Sequence, residues 1–152
     1  LDNNPDTMIT LREEISALNL YLEIEKTRFA ERLQLDFKVD DEAQNALVPS
    51  LLLQPIIENS MKHAISKNEK GGIIEIRAGI KQNRLIIEIS DSGADQESKK
   101  SQAEHETGIG LENTEQRLSV LYENDYQINT MRRAEGGRST CINMPLELSD
   151  TK

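Results

Sequence analysis

Two runs of alternating apolar residues place the strongest constraint on the fold of this chain. The alternating positions are Ile74, Ile76, Ala78 and Ile80 in the first run and Leu85, Ile87 and Ile89 in the second. An apolar residue at every second position is typical of a strand that buries one face, and the polar segment 81–84 between the runs suits a tight turn. The sequence therefore predicts an antiparallel hairpin.

A long amphipathic helix is predicted well before the hairpin. Thr10 and Glu13 have the spacing of a capping box, in which each side chain accepts a hydrogen bond from the other residue's backbone. The apolar residues that follow at helical spacing are Leu11, Ile15, Leu18, Leu22 and Phe29. This apolar stripe either packs on the domain or continues a dimeric coiled coil from upstream sequence.

The remaining segments alternate between strand and helix patterns. We expect strands at 32–39, 125–133 and 139–146, and helices at 49–66 and 108–122. Pro55 must lie near the first turn of its helix or produce a kink. The inward residues of the last helix are expected to be Leu111, Leu118 and Leu121. Together these elements predict an α+β fold, a two-layer sandwich of a mixed, mostly antiparallel sheet covered by helices on one face.

The charge balance and the single cysteine limit the class of function. The chain has 152 residues and a formal net charge of -9, which argues against a large nucleic-acid or anionic-membrane surface. Cys141 alone cannot form an intramolecular disulfide, so a reducing, cytoplasmic environment is expected. No apolar run reaches the roughly 18 to 20 residues that a membrane-spanning helix needs. We therefore expect no nucleic-acid or membrane contact from this chain.

Three short motifs could bind a nucleotide, although each also has a purely structural interpretation. Asn59 and Lys62 share one ridge of a predicted helix, where they could hold magnesium and phosphate or simply face solvent. Asp91, at a strand end, could accept a hydrogen bond from an amino group such as that of adenine, or only form a turn. Gly108–Gly110 could present backbone N–H groups to an anion at a helix start, or make a tight turn.

The other candidates are less specific. The pair Gly136–Gly137 predicts either a close backbone approach or a hairpin turn. Neither histidine, His63 or His105, has a triad or metal partner nearby in sequence. His63 is a candidate ligand contact because it follows Lys62.

The order of these motifs is far more specific than any one of them. Along the chain come Glu-Asn-Ser-Met-Lys-His at 58–63, Asp-Ser-Gly at 91–93, Thr-Gly-Ile-Gly-Leu at 107–111 and the glycine pair at 136–137. Over residues 50–146 this order resembles the GHKL ATP-binding fold of histidine kinases, gyrase-type topoisomerases, MutL mismatch-repair proteins and heat-shock chaperones. Segments 20–26, 28–29, 48–49 and 52–59 are similar to the LytS-like branch of sensor histidine kinases.

The resemblance implies a set of ligand contacts. Asn59 would be the magnesium ligand, Lys62 a catalytic phosphate contact, and Asp91 the acceptor for the adenine amino group. The further nucleotide contacts would be His63, Gly93, Gly108, Ile109, Gly110, Leu111 and Gly137. Residues 94–107 would form an ATP lid. Glu58 would orient or deprotonate the attacking imidazole, or would be no more than a neighbouring carboxylate.

The implied function is that of the ATP-binding catalytic domain of a two-component sensor histidine kinase. With ATP and Mg²⁺, it would transfer the γ-phosphate to a histidine on an upstream dimerisation helix, in the same or the partner protomer of a homodimer, and so serve a response regulator. Residues 1–32 would be a linker helix from the phosphoacceptor region, 33–148 the catalytic domain and 149–152 a tail. The domain would lie on the cytoplasmic side of an inner-membrane sensor.

Three departures from the family pattern keep alternatives open. Pro55 stands where gyrase- and MutL-type relatives carry a water-activating Glu, which disfavours ATP hydrolysis. Ala94-Asp95 replaces a usual glycine, and Arg138 stands where Thr commonly follows the glycine pair. One alternative is therefore a nucleotide-binding regulatory or scaffold module without phosphotransfer. Another is a serine kinase of the anti-sigma-factor type on the same fold.

Overall fold

The computed structural model describes residues 7–29, 33–62, 71–92, 111–134 and 136–149. In chain order the elements are β1 (Met8–Thr10), α1 (Leu11–Phe29), β2 (Leu33–Val39), a 3-10 helix (Asp41–Asn45), β3 (Leu47–Pro49), α2 (Gln54–Ser60), β4 (Gly72–Lys81), β5 (Arg84–Asp91), α3 (residues 111–122), β6 (Gln127–Arg132) and β7 (Arg138–Pro145). None of the helices in these ranges combines the length and hydropathy that crossing a bilayer requires.

Within the described residues, the main sheet has five strands in the order β2-β4-β5-β7-β6. β2 runs parallel to β4, and the other neighbouring pairs are antiparallel. The predicted hairpin is confirmed: Lys81 pairs with Arg84, and a two-residue turn joins the strands. Gln82 and Asn83 both have positive φ, 52° and 61°, as expected for the turn type that matches the twist of a hairpin. The predicted mixed, mostly antiparallel sheet is therefore correct.

The hydrophobic core lies on one face of this sheet. The strands contribute Ile74, Ile76, Leu85, Ile87, Ile89, Ile142 and Met144, and the helices contribute Leu18, Leu22, Ile56, Ile57 and Leu118. On β4, the alternate residues Ile73 and Arg77 are exposed, so the two faces of the sheet differ as the alternating sequence predicts.

Helix α1 packs on the domain. Thr10 and Glu13 form the predicted capping box, with the Thr10 N–H donating to Glu13 Oε1 at 3.0 Å and the Glu13 N–H donating to Thr10 Oγ1 at 3.1 Å. Leu11 and Leu18 are buried in the common core. The apolar stripe of α1 therefore packs on the domain, which is the first of the two arrangements that the sequence allowed.

Two sequence predictions are wrong in detail. The second helix begins at Gln54 and not at 49, because Pro49 ends strand β3, which pairs with β1 in a separate two-stranded sheet. Pro55 lies in the first turn, where its missing N–H costs no hydrogen bond. Leu121 is 37% exposed, because Leu118 and Tyr122 are the residues that this end of α3 turns to the core.

Candidate functional site

A narrow cleft opens where α2 and α3 meet the ends of β5, β6 and β7. Its polar lining consists of Asn59, Ser60, Asp91, Thr130, Arg138 and Thr140, and its apolar lining of Ile56 and Leu111. The cleft thus brings together Asn59, Asp91 and Leu111, three of the residues singled out from the sequence, although they lie far apart along the chain.

Asp91 is the most buried ionisable group of the cleft. It is the last residue of β5, is 3% exposed, and lies opposite Ile74 on the core face of the sheet. Burial raises the pKa of its carboxyl group, because the charged form loses hydration. The Arg138 N–H, which donates to Asp91 Oδ1 at 3.3 Å, and the Ser60 hydroxyl oppose part of this shift. Among the described residues these donors are fewer than a carboxylate can accept, which leaves capacity for a ligand N–H.

Gly137 fixes the backbone on which Asp91 lies. Its φ is +84°, and a Cβ added to it would lie 1.9 Å from the Asp91 carbonyl oxygen. The same carbonyl accepts a hydrogen bond from Arg133 Nη1 at 3.0 Å. Both interpretations of the glycine pair therefore hold, since Gly136, with φ 110°, and Gly137 form a turn and also allow a close backbone approach.

Asn59 reaches the cleft because α2 buries its neighbours. Ile56, Ile57 and Ser60 face the core, and Asn59 is left half-buried at the cleft wall. An amide oxygen at such a position can complete the oxygen shell of a magnesium ion whose other ligands are phosphate and water. No group of three or more His, Cys, Asp or Glu side chains suited to a metal occurs within the described residues. A metal here would therefore depend on ligands from a bound phosphate.

Glu58 and Lys62 are both exposed. Glu58 accepts a hydrogen bond from Gln54 Nε2 at 3.2 Å and is not part of the described cleft lining. Lys62 continues the ridge of Asn59 toward the chain that follows α2. Five further predicted contacts lie outside the described residues: His63, Gly93, Gly108, Ile109 and Gly110. The predicted lid at 94–107 lies outside them as well.

Four polar residues of the described cleft lining were not among the predicted contacts. Thr130 and Thr140 form a cross-strand pair whose hydroxyl oxygens are 3.2 Å apart, and Ser60 lies beside Asn59. Arg138 Nη1 is buried without a hydrogen-bond partner among the described residues. Such a group calls for an acceptor, because burying an unsatisfied donor costs free energy. The cleft therefore suits a ligand that offers both an N–H donor and acceptor or anionic atoms.

Known proteins with similar sequences include sensor proteins. No family model matches the chain. It is 31% identical over 160 residues to the putative uncharacterized protein YwpD of Bacillus subtilis, covering 98% of this chain and 57% of that protein. It is 30% identical over 150 residues to the sensor protein LytS of Staphylococcus epidermidis, covering 93% of this chain and 25% of that protein. The chain thus spans between a quarter and somewhat over half of these relatives.

Solved structures of histidine kinases share the fold. The nucleotide-free catalytic domain of histidine kinase ThkA matches with a TM-score of 0.65 at 17% identity, over 94% of this chain and 98% of that one. ThkA in complex with the response regulator protein TrrA matches with a TM-score of 0.62 at 19% identity, over 93% of this chain and 42% of that one. The fold is therefore that of histidine kinase catalytic domains.

Proposed function

Because this chain belongs to the catalytic domains of LytS-like sensor histidine kinases, we propose that it binds ATP with Mg²⁺ and donates the γ-phosphate to a histidine on a dimerisation helix of its full-length protein. The observation that carries the proposal is the convergence of Asn59 and Asp91 on one cleft. A magnesium-binding amide and a buried acceptor for an amino group are the two chemical groups that distinguish a nucleotide site from a plain cleft.

At the adenine end, Asp91 would accept the hydrogen bond from the exocyclic amino group. Its burial favours this role, since a hydrogen bond to a carboxylate is stronger where water does not compete. Gly93 and Gly137 would leave room for the flat ring, and Thr130 and Thr140 would offer hydroxyl groups near it. Guanine carries a carbonyl where adenine has its amino group, so Asp91 would also select against guanine.

At the phosphate end, Asn59 would hold Mg²⁺ and Lys62 would neutralise charge. The bound metal would supply electrostatic stabilisation of the phosphates, which is the main requirement of phosphoryl transfer. Backbone N–H groups of Gly108, Ile109 and Gly110 would hold phosphate oxygens ahead of α3, with Leu111 behind them. His63 would contact the nucleotide beside Lys62, and residues 94–107 would close over it.

The phosphoacceptor and the response regulator would come from outside this chain. Glu58, exposed on α2, would face the incoming imidazole and orient it or take its proton. The complex of ThkA with TrrA supports a response regulator as the downstream partner. The relatives that are named sensor proteins support a place for this domain in a sensor protein, and we propose the cytoplasmic side of a membrane sensor.

Replacing Asp91 tests the proposal. Asp91→Asn should weaken ATP binding by about tenfold or more, because an amide oxygen accepts less strongly and its NH₂ group would face the adenine amino group. Titration calorimetry with MgATP measures the loss, and Asp36→Asn, on the opposite face of the sheet, is the matched control. Equal ATP affinity in wild type and Asp91→Asn would contradict the assignment of this cleft.

Phosphotransfer separates the kinase from a module that only binds nucleotide. Arg138 favours the module that only binds nucleotide, since a cation in the cleft could hold ATP in a form that does not react. The domain would be mixed with γ-labelled ATP and a dimeric protein carrying the upstream helix and its histidine. An acid-labile label on that histidine supports the kinase. Tight binding without label supports the binding module, and an acid-stable label on a serine of a partner would indicate a serine kinase.

A further inference from the structure

Glu14 is a carboxylate buried at the junction of α1 and α2. It belongs to α1 but is only 3% exposed. Its Oε1 accepts a hydrogen bond from the Leu51 N–H at 3.0 Å, and its Oε2 accepts one from the Leu53 N–H at 2.8 Å. Leu53 is the N-cap of α2 and has no side chain that could cap the helix. Glu14 therefore satisfies, from another helix, donors that the start of α2 leaves open.

The Leu51 peptide is held from the other side by Arg117 of α3. Leu51 has φ 62°, a left-handed conformation that costs free energy for a residue with a branched side chain. Arg117 Nη1 donates to the Leu51 carbonyl at 3.1 Å, and Arg117 Nη2 donates to the Ser50 carbonyl. We call Glu14, Leu51 and Arg117 the clamp. Its two charged side chains hold the strained peptide of Leu51 between them.

The charges of the clamp depend on each other. Burial raises the pKa of Glu14, whereas the Leu53 and Leu51 N–H groups and the positive charge of Arg117 lower it. A buried carboxylate without these partners would be destabilised in its charged form. Removing either charge therefore disturbs the other as well as the loop between them.

The geometry points to Glu14 and Arg117 as positioning residues for the metal and phosphate end of the cleft. The clamp fixes the start of α2, which carries Asn59, and it fixes α3, whose Leu111 also lines the cleft. Asp91 lies on β5. It takes one contact from Ser60 of α2, but its contacts with Arg138 and Arg133 come from outside α2. The clamp therefore governs the magnesium end of the site more than the adenine end. This inference rests on the proposed function.

The test compares ATP binding with and without Mg²⁺ in the 152-residue chain. Calorimetry gives the gain in affinity that Mg²⁺ provides for wild type, Glu14→Gln and Arg117→Lys. Each variant should reduce this gain by about tenfold, as expected for a disturbed charge-assisted hydrogen bond, with affinity for metal-free ATP within about twofold of wild type. The double variant should lose little more than the worse single variant, because both residues act through one peptide.

Arg84→Lys is the matched control. Arg84 is half-buried and donates from Nη2 to the Asp125 carbonyl at 3.2 Å, at the far end of the β4–β5 hairpin. This variant should lower the melting temperature and leave the Mg²⁺ gain unchanged.

An unchanged Mg²⁺ gain in both clamp variants would overturn the inference. A parallel fall of both affinities would also overturn it, since Glu14 and Arg117 would then be merely structural. Additive losses of the Mg²⁺ gain in the double variant would refute the claim that Glu14 and Arg117 act through one peptide. If Glu14→Gln does not fold, Arg117→Lys, which keeps the charge, carries the same comparison. Absence of MgATP binding in wild type would instead refute the proposed function.

Discussion

Asp91 and Gly137 form one unit at the scale of single residues. The Asp91 carboxylate faces the cleft. The backbone carbonyl oxygen of Asp91 accepts a hydrogen bond from Arg133 and lies so close to Gly137 that a side chain there would clash with it. Asp91 therefore contributes to the cleft through its side chain and to backbone packing through its carbonyl oxygen. A substitution at Gly137 should affect both stability and the adenine end of the cleft.

Gly137→Ala should destabilise the fold by about 2 to 4 kcal/mol, because the added methyl group meets a backbone atom that cannot move away and φ is unfavourable for alanine. Urea unfolding gives the free energy. Gly79→Ala is the control: its methyl group would meet only the end of the Asp40 side chain, 2.7 Å away, and Asp40 is exposed and can rotate. Equal costs at the two positions would show that close approach at Gly137 is unimportant.

The β4–β5 hairpin has a turn whose residues are not the most favourable ones for its backbone conformation. Gln82 and Asn83 are exposed and both adopt positive φ, which Asn-Gly adopts with less strain than Gln-Asn. The double change Gln82→Asn and Asn83→Gly should therefore stabilise the domain by about 0.5 to 1 kcal/mol. Thermal unfolding measures it. Asn83→Val should act in the opposite direction, and a stabilising valine would mean that the turn has another conformation.

Local patterns predicted the elements that carry their own signal. The hairpin and the Thr10–Glu13 cap follow from residues close in sequence, and both are confirmed. Strands β1 and β3 could not be predicted, because three residues each are too few for alternation and their pairing is decided by distant contacts. The start of α2 was misplaced for the same reason, since Pro49 belongs to β3.

The candidate site was predictable only where the family resemblance names a residue. Asn59 and Asp91 carry recognisable motifs, and they line one cleft. Thr130 and Thr140 enter it through the cross-strand register of β6 and β7, which no local pattern reveals. Glu14 looks like an ordinary polar residue in the first turn of α1, and only the packing of α2 against α1 explains its burial.

For the whole molecule, the buried carboxylates set the pH dependence of stability. Burial raises the pKa of both Glu14 and Asp91 in the folded state, so the folded chain binds protons more readily there than the unfolded chain. Stability from these two groups is therefore present at low pH and is lost as pH rises through their folded pKa values. Glu13 and Glu75 have lowered pKa values in the folded state. The stability that they contribute is present above their ordinary pKa of 4.5 and is lost as the pH falls below it.

Asp91→Asn should consequently flatten the stability profile above about pH 4, near the ordinary carboxyl value. Relative to this variant, wild type should lose stability as the pH is raised above 3.8, the ordinary pKa of this carboxyl group. Urea midpoints across that range measure the difference. A difference between wild type and Asp91→Asn that grows in the other direction would mean that attraction from the arginines exceeds the effect of burial.

The position of β7 in the sheet determines when the sheet can be completed during synthesis of the chain. Among the described strands, β7 is the last in the chain, yet it lies between β5 and β6. Ribosomes add about 5 to 20 residues per second, so β5 emerges several seconds before the neighbour that covers its free edge. Through that interval β5 is paired with β4 on one edge only. Its other edge, at Ile87 and Ile89, is open to a chaperone that shields unpaired strand edges.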